Sequence, residues 1–213
     1  MHTKHHDFPK NIFITGIGTD VGKTIASAIL TEALEADYWK PVQSGLLEQT
    51  DTERVAELIT NTRTHLHPER YRFVLPASPH YAAEQQGIIV DPHQIVIPET
   101  PNRLIIEGAG GAFVPLNYET LFADWVAEHS LPTIIVSRYY LGSINHTLLT
   151  VEALRYYSIP ILGIIFNGDE SPEHPSSVYI ERMTQIPVLL RIAEEPTWDK
   201  ATIRKYAERF NAP

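Results

Sequence analysis

The sequence contains no cysteine. Disulfides, thiolate metal sites and thiol nucleophiles are excluded together. No apolar stretch approaches the roughly 20 residues a membrane helix needs. The first ten residues, Met1 to Lys10, are polar and histidine-rich and lack the apolar core of a secretion signal. These absences predict a cytoplasmic protein with no membrane partner and a flexible polar N-terminus over residues 1–10. His2, His5 and His6 are read as part of that frayed end, not as a metal site. An excess of positive charge is missing too: 17 Lys and Arg stand against 26 Asp and Glu, a formal charge of −9. A surface of that sign repels phosphate backbones, so nucleic acid is not an expected partner. There is no His-Glu-x-x-His, no shared ligand spacing among the scattered histidines and no hydrolase triad. Internal repeats, long linkers and low-complexity segments are also absent.

What is present begins at residue 11. Ile12 to Ile14 reads as a short buried strand. A glycine-bearing turn with Gly16, Gly18 and Gly22 follows, and Gly22-Lys23-Thr24 leads into the helical run Ile25 to Leu30. Strand, glycine-rich loop and helix ending in Gly-Lys-Thr form a phosphate cradle. The glycines allow a tight turn that aims successive N–H groups at one anion. The helix N-terminus adds partial positive charge. Lys23 can reach the β- and γ-phosphates, and the Thr24 hydroxyl can ligate Mg²⁺. The common pattern has four residues before Gly-Lys-Thr; here Gly16 and Gly22 are separated by five.

Further apolar runs recur between helical patterns: Tyr38-Trp39 leading into Lys40-Pro41-Val42, then 104–106, 133–136, 161–166 and 188–190. Several lack polar alternation, as strands covered on both faces do. Helices are expected at 24–36, 51–60, 120–129, 143–157, 176–184 and 197–210. Strands alternating with helices predict an α/β, P-loop NTPase-like three-layer fold, with a mostly parallel central sheet and helices on both faces. Residues 11–213 are read as one domain of that kind. The proline-rich middle, 68–101, resists assignment; within it, 88–97 reads as a short helix or a loop. Ligands in such sheets sit beyond the carboxyl ends of the strands. That rule gathers Gly16–Thr24, Lys40–Ser44, Glu107–Gly111, Ser137–Asn145 and Asn167 around one site.

Glu107 closes a buried run and precedes Gly108-Ala109-Gly110-Gly111, small residues that let a ligand approach the backbone. An acid in that place suits a Mg²⁺ ligand or, alternatively, a helix-capping or turn acid. Lys40 is either a second cation on a transferring phosphate or a solvated surface lysine. Asp51 opens a probable helix and is a metal ligand or an N-cap. His80, in the rigid turn Pro76-Ala77-Ser78-Pro79-His80, is read as structural.

Together these residues resemble one family, the dethiobiotin synthetases, ATP-dependent enzymes that close the ureido ring in biotin synthesis. The likeness rests on Gly16–Thr24, Trp39–Gly45, Asp51, Pro76–His80, Ile106–Gly111, Leu121–Val126 and Leu141–His146. The five-residue gap before Gly-Lys-Thr is itself a family feature. Asp20 stands where Glu is common, Tyr140 where some members carry Lys, and Gly168 where some carry Asp; after Val188 the match fades. The resemblance implies an enzyme, a cyclo-ligase forming carbon–nitrogen bonds, with ATP and Mg²⁺ as cofactors and 7,8-diaminopelargonic acid and CO₂ as substrates. It implies Lys23, Lys40 and Thr19 as catalytic groups and Thr24, Asp51 and Glu107 as Mg²⁺ ligands. ATP would meet Asp20, Val21, Gly22, Lys23, Thr24, Ile25, Asp51, Glu107, Gly108, Ala109 and Gly110, with Asn167 and Gly168 at the base. Thr19, Lys40, Ser44, Gly142, Asn145 and Tyr179 would hold the diamine, its carboxylate tail lying near a homodimer interface. Two other readings compete. An amide synthase of the cobyrinic-acid type normally carries a glutaminase domain with a nucleophilic Cys, which is absent. A partitioning-type ATPase switch often has an extra Lys early in the phosphate loop, which Gly16–Asp20 lacks; a guanine-specific Asn-Lys-x-Asp is also missing.

Overall fold

The computed structural model describes residues 8–171 and 175–212. The expectation of a flexible tail over 1–10 therefore falls largely outside the described residues. Phe8 is buried and its ring lies 5.4 Å from that of Phe210.

Seven parallel strands form the central sheet: β1 (Asn11–Gly16), β2 (Asp37–Trp39), β4 (Leu66–His67), β6 (Leu104–Gly111), β7 (Thr133–Arg138), β8 (Ile161–Asn167) and β9 (Val188–Ile192). Their order is β4-β2-β6-β1-β7-β8-β9, with every neighbouring pair parallel. The strand order reverses around β1, where ligand crevices open in such sheets.

Alternation of side chains along the strands explains why the runs are apolar throughout. Ile12, Ile14, Tyr38, Ile105, Ile134 and Ile165 face one core, shared with α1 (Lys23–Leu34), α2 (Asp51–Leu58) and α7 (Lys200–Asn211). Phe13, Trp39, Leu104, Ile106, Ile135 and Phe166 face the other, shared with α4 (Phe122–Glu128), α5 (Ser143–Tyr156) and α6 (Ser176–Thr184). Both faces are dry, so neither needs polar positions. The six expected helices are all present, most with their ends drawn in by one to three residues.

The second strand differs from expectation. Pro41 has no N–H to give a ladder, and β2 ends at Trp39. The chain leaves the sheet at Lys40 and starts a separate two-stranded parallel sheet, β3 (Val42–Ser44) with β5 (Tyr71–Phe73). The proline-rich middle also supplies β4, a short α3 (Pro79–Glu84) and a 3₁₀ turn at Pro92–Gln94. These pieces are too short to leave a periodic signal.

Asp37, at the start of β2, fastens the sheet edge. Its Oδ2 accepts from Thr100 Oγ1 at 2.5 Å and lies 3.3 Å from His67 Nε2. Its Oδ1 accepts from the His65 backbone N–H at 2.8 Å and from Asn102 Nδ2 at 2.9 Å. Burial pushes this carboxyl up, but the hydrogen bonds outweigh burial and hold it below the usual carboxylate range. A folded pKa below the unfolded one gives stability that is complete above about pH 4 and is lost as pH falls through the folded value. Asp37→Asn is therefore expected to cost about 1–3 kcal/mol at neutral pH, a gap that shrinks in acid. Urea melts at pH 7 and pH 3 measure both; a variant as stable as the parent at pH 7 would mean the four donors find other acceptors.

Candidate active site

At the carboxyl ends of β1, β2 and β6 lies a cavity of about 700 Å³. The loop between β1 and α1 forms its floor. Gly22 is the N-cap of α1 in a left-handed conformation, φ 94°, and no side chain caps the helix. The first-turn N–H groups are thus left for a ligand. A Cβ on Gly22 would stand 2.2 Å from Asn167 Nδ2, so the position demands glycine on two grounds. Asn167 ends β8, is buried, and donates through Nδ2 to the Val21 carbonyl at 3.0 Å. Lys23 folds back over the loop and donates to the Gly18 carbonyl at 3.1 Å. Burial pulls its pKa down to about 8, against the upward pull of the Glu107 carboxylate.

Above the loop, four side chains from four elements meet. Thr24 Oγ1 lies 2.7 Å from Asp51 Oδ1 and 3.0 Å from Glu107 Oε1. Lys40 Nζ donates to Glu107 Oε1 at 3.0 Å and forms an ion pair with Asp51 Oδ2. Lys40 and Glu107 are only 5% and 1% exposed, which removes the readings of a solvated lysine and of a turn acid. Glu107 sits inside β6, not at a helix start. The N-cap of α2 is Thr50, whose Oγ1 accepts from the Glu53 N–H while Glu53 accepts from the Thr50 N–H. Asp51 is left free of capping and points into the cluster. Burial pulls Lys40 down, but Glu107 and Asp51 outweigh it and hold it above the ordinary lysine value. Burial pushes Asp51 up, but Lys40 wins and holds it low. The cluster is thus charged.

Of the predicted residues, Thr19, Asp20, Gly22, Lys23, Thr24, Lys40, Ser44, Asp51, Glu107, Ala109 and Gly110 line this one cavity. Ser44 Oγ is buried without a hydrogen-bond partner among the described residues, which fits a group waiting for a ligand. Val21 is buried behind the loop, and Gly108 packs on Phe13, where a Cβ would meet the ring at 2.6 Å. Ile25 lies one residue into the helix, and Gly168, φ 98°, follows Asn167 outside the cavity lining. Gly142, Asn145 and Tyr179 do not line it; they belong to the exposed start of α5 and to α6. Oxygen donors from Thr24, Asp51 and Glu107 converge as a hard cation such as Mg²⁺ requires.

Sequence reasoning missed three contributors. Tyr38 OH donates to Glu107 Oε2 at 3.0 Å. Gln43 Oε1 accepts from the Asp51 N–H at 3.3 Å and its Nε2 donates to the Gly45 carbonyl at 2.9 Å, joining β3 to α2. Val114 closes the wall beside Gly110. The signal for Tyr38 was available: Tyr38 pairs with Ile105 across β2 and β6, and Glu107 is two residues beyond Ile105 on the same face.

A family model described as an AAA domain matches residues 10–202. An ATP-dependent dethiobiotin synthetase of Christiangramia forsetii is 48% identical over 202 residues, covering 95% of this chain and 96% of its own. One of Cytophaga hutchinsonii is 46% identical, covering 94% and 97%. Among solved structures, the Pyrococcus furiosus cell division ATPase MinD superposes with a TM-score of 0.62 at 15% identity, covering 94% of this chain and 98% of its own. That likeness is one of fold alone.

Gly22→Ala tests the cradle. Alanine at φ 94° costs about 1–2 kcal/mol before any clash, so affinity for a fluorescent adenine nucleotide is expected to fall about tenfold or more. Undiminished binding would sink the cradle reading.

Proposed function

This chain belongs to the ATP-dependent dethiobiotin synthetase family, and from that premise we propose how its residues carry out ring closure on 7,8-diaminopelargonic acid. Residues 11–213 act as one synthetase unit. CO₂ adds to one amine, which loses a proton, to give a carbamate. The carbamate oxygen attacks the γ-phosphorus of ATP, forming a carbamic–phosphoric anhydride and releasing ADP. The neighbouring amine attacks the carbamoyl carbon; phosphate leaves with the bonding pair and the ureido ring of dethiobiotin closes.

The observation that carries the reading is the buried set Thr24, Lys40, Asp51 and Glu107 over the phosphate cradle. Thr24, Asp51 and Glu107 would hold Mg²⁺, which when bound offsets charge on the phosphate oxygens. Gly22 to Ile25 offer backbone N–H groups to the phosphates. Lys23 and Lys40 supply positive charge where negative charge grows on the transferring oxygens, in a site where such charge acts strongly. Thr19 and Ser44 bind the diamine or carbamate through their hydroxyls. Asp20 and Ala109–Gly110 line the nucleotide path, and Asn167 and Gly168 meet the adenine.

Gly142, Asn145 and Tyr179 take part only if a second copy brings them to the cavity, so the reading includes a homodimer. Exposed apolar side chains flank these residues: Leu141, Leu149 and Met183. Leu141→Asp is expected to turn a particle of twice the 24.1 kDa chain mass into a monomer in light scattering and to raise the KM for the diamine. A parent already monomeric at assay concentration would remove the dimer and the roles of these three residues. No helix among the described residues is long and apolar enough to cross a membrane. Work on a water-soluble diamine supports the cytoplasm as its place of action.

The direct assay is phosphate release with Mg²⁺–ATP and bicarbonate, with and without the diamine, and the product weighed by mass spectrometry. Lys40→Ala is expected to lower diamine-dependent release by about 10²–10³-fold. It also leaves Glu107 and Asp51 without their counter-charge, so the metal-free protein melts earlier. Added Mg²⁺ recovers the melt but not the turnover. Near-parental turnover in Lys40→Ala would remove Lys40 from the chemistry.

A further inference from the structure

We propose that Tyr38 is a positioning residue that sets the carboxylate of Glu107 for Mg²⁺, through the hydrogen bond from its hydroxyl to Oε2. The inference rests on the reading of Glu107 as a metal ligand. Tyr38 is fully buried, in the core shared with Ile12, Ile14 and Ile105. Phenylalanine would fill that core equally well, so packing does not call for the hydroxyl. A carboxylate can only accept, so the phenol is the donor, at 3.0 Å. Glu107 is thereby held from both ends. Oε1 accepts from Thr24 and Lys40 on the cavity side, and Oε2 accepts from Tyr38 on the core side. The terminal torsion of a glutamate is broad, with no strong intrinsic preference. An anchored second oxygen therefore fixes the plane in which the first is presented. Tyr38 itself cannot drift, because its backbone is paired with Ile105 in the neighbouring strand, two residues from Glu107.

Partners of this kind behind a metal ligand typically contribute 10–100-fold to metal affinity or activity. Mn²⁺ is the probe: it is titrated into protein holding a substoichiometric non-hydrolysable ATP analogue, and the free-ion electron paramagnetic resonance signal is followed. Tyr38→Phe is expected to weaken Mn²⁺ binding about 10–100-fold and to raise the Mg²⁺ concentration needed for half-maximal turnover in step. The KM for the diamine and the kcat at saturating Mg²⁺ stay near parental values. Tyr38→Met, which removes the donor with different packing, should give the same loss. 4-Aminophenylalanine at position 38, which restores a donor on the same ring carbon, should recover most of it. In a Glu107→Gln background Tyr38→Phe should cost nothing more, since the partner is gone. Melting curves of the metal-free proteins establish that each variant is folded. If Glu107→Gln loses Mn²⁺ while the folded Tyr38 variants bind as the parent does, the positioning role is wrong and the metal reading stands. If Glu107→Gln binds Mn²⁺ like the parent, both fall.

Discussion

The buried meeting of Lys40 with Glu107 and Asp51 is the constraint on which the rest of the site depends. Taking an ion out of water costs several kcal/mol even after relaxation, and this cluster buries a carboxylate and an ammonium almost completely. Such a set persists only where geometry is held from outside. Here β6 supplies Glu107, the exit from β2 supplies Lys40, the start of α2 supplies Asp51 and the first turn of α1 supplies Thr24. Each of those positions is fixed by something other than the charges. Pro41 ends β2 at the residue before Lys40, Thr50 caps α2 so that Asp51 need not, and Gly22 turns the chain so that Thr24 faces inward. Gln43 then ties the exit of β2 to the start of α2. The fold thus bears the cost of a charged interior at one point, and that point lies over the phosphate cradle.

Most of this was legible in the sequence because the signals were local. A buried strand, a glycine turn and Gly-Lys-Thr identify the cradle within fourteen residues, 11–24. Unbroken apolar runs announce strands covered on both sides, and the sheet bears this out with one core on each face. The carboxyl-end rule brought Lys40, Glu107 and Asn167 to one edge although they are far apart in the chain. Non-local facts were out of reach. Whether Lys40 is solvated or buried depends on strands that approach only after folding. Whether Asp51 or Thr50 caps α2 depends on Glu53 reaching back by one turn. The β3–β5 sheet pairs segments too short for any period to show. Tyr38 was seen as strand filler because a sequence does not display cross-strand pairing.

The same reasoning separates fold from chemistry. The Pyrococcus furiosus MinD structure shares this architecture at 15% identity, so the seven-stranded sheet and cradle do not specify what happens to the phosphate. A cradle alone provides a place for phosphates and one lysine. What this chain adds comes from β2, a strand only three residues long. Its exit delivers Lys40 to the cavity, its middle residue Tyr38 anchors the acid of β6, and its continuation into β3 presents Ser44 with an unpartnered hydroxyl. Trp39, between them, points to the opposite core and fixes the strand by donating to the Pro68 carbonyl at 3.0 Å. Alternation along one short strand therefore divides the work: odd and even positions go to packing and to the site. A one-residue slip of β2 would exchange Tyr38 for Trp39 on the face of Glu107 and carry Lys40 into the apolar side. The four hydrogen-bonding partners of Asp37 oppose that slip, because they pin the first residue of the strand to β4 and to the 100–102 turn. Register at the edge of the sheet is thus coupled to the arrangement of charge at its centre.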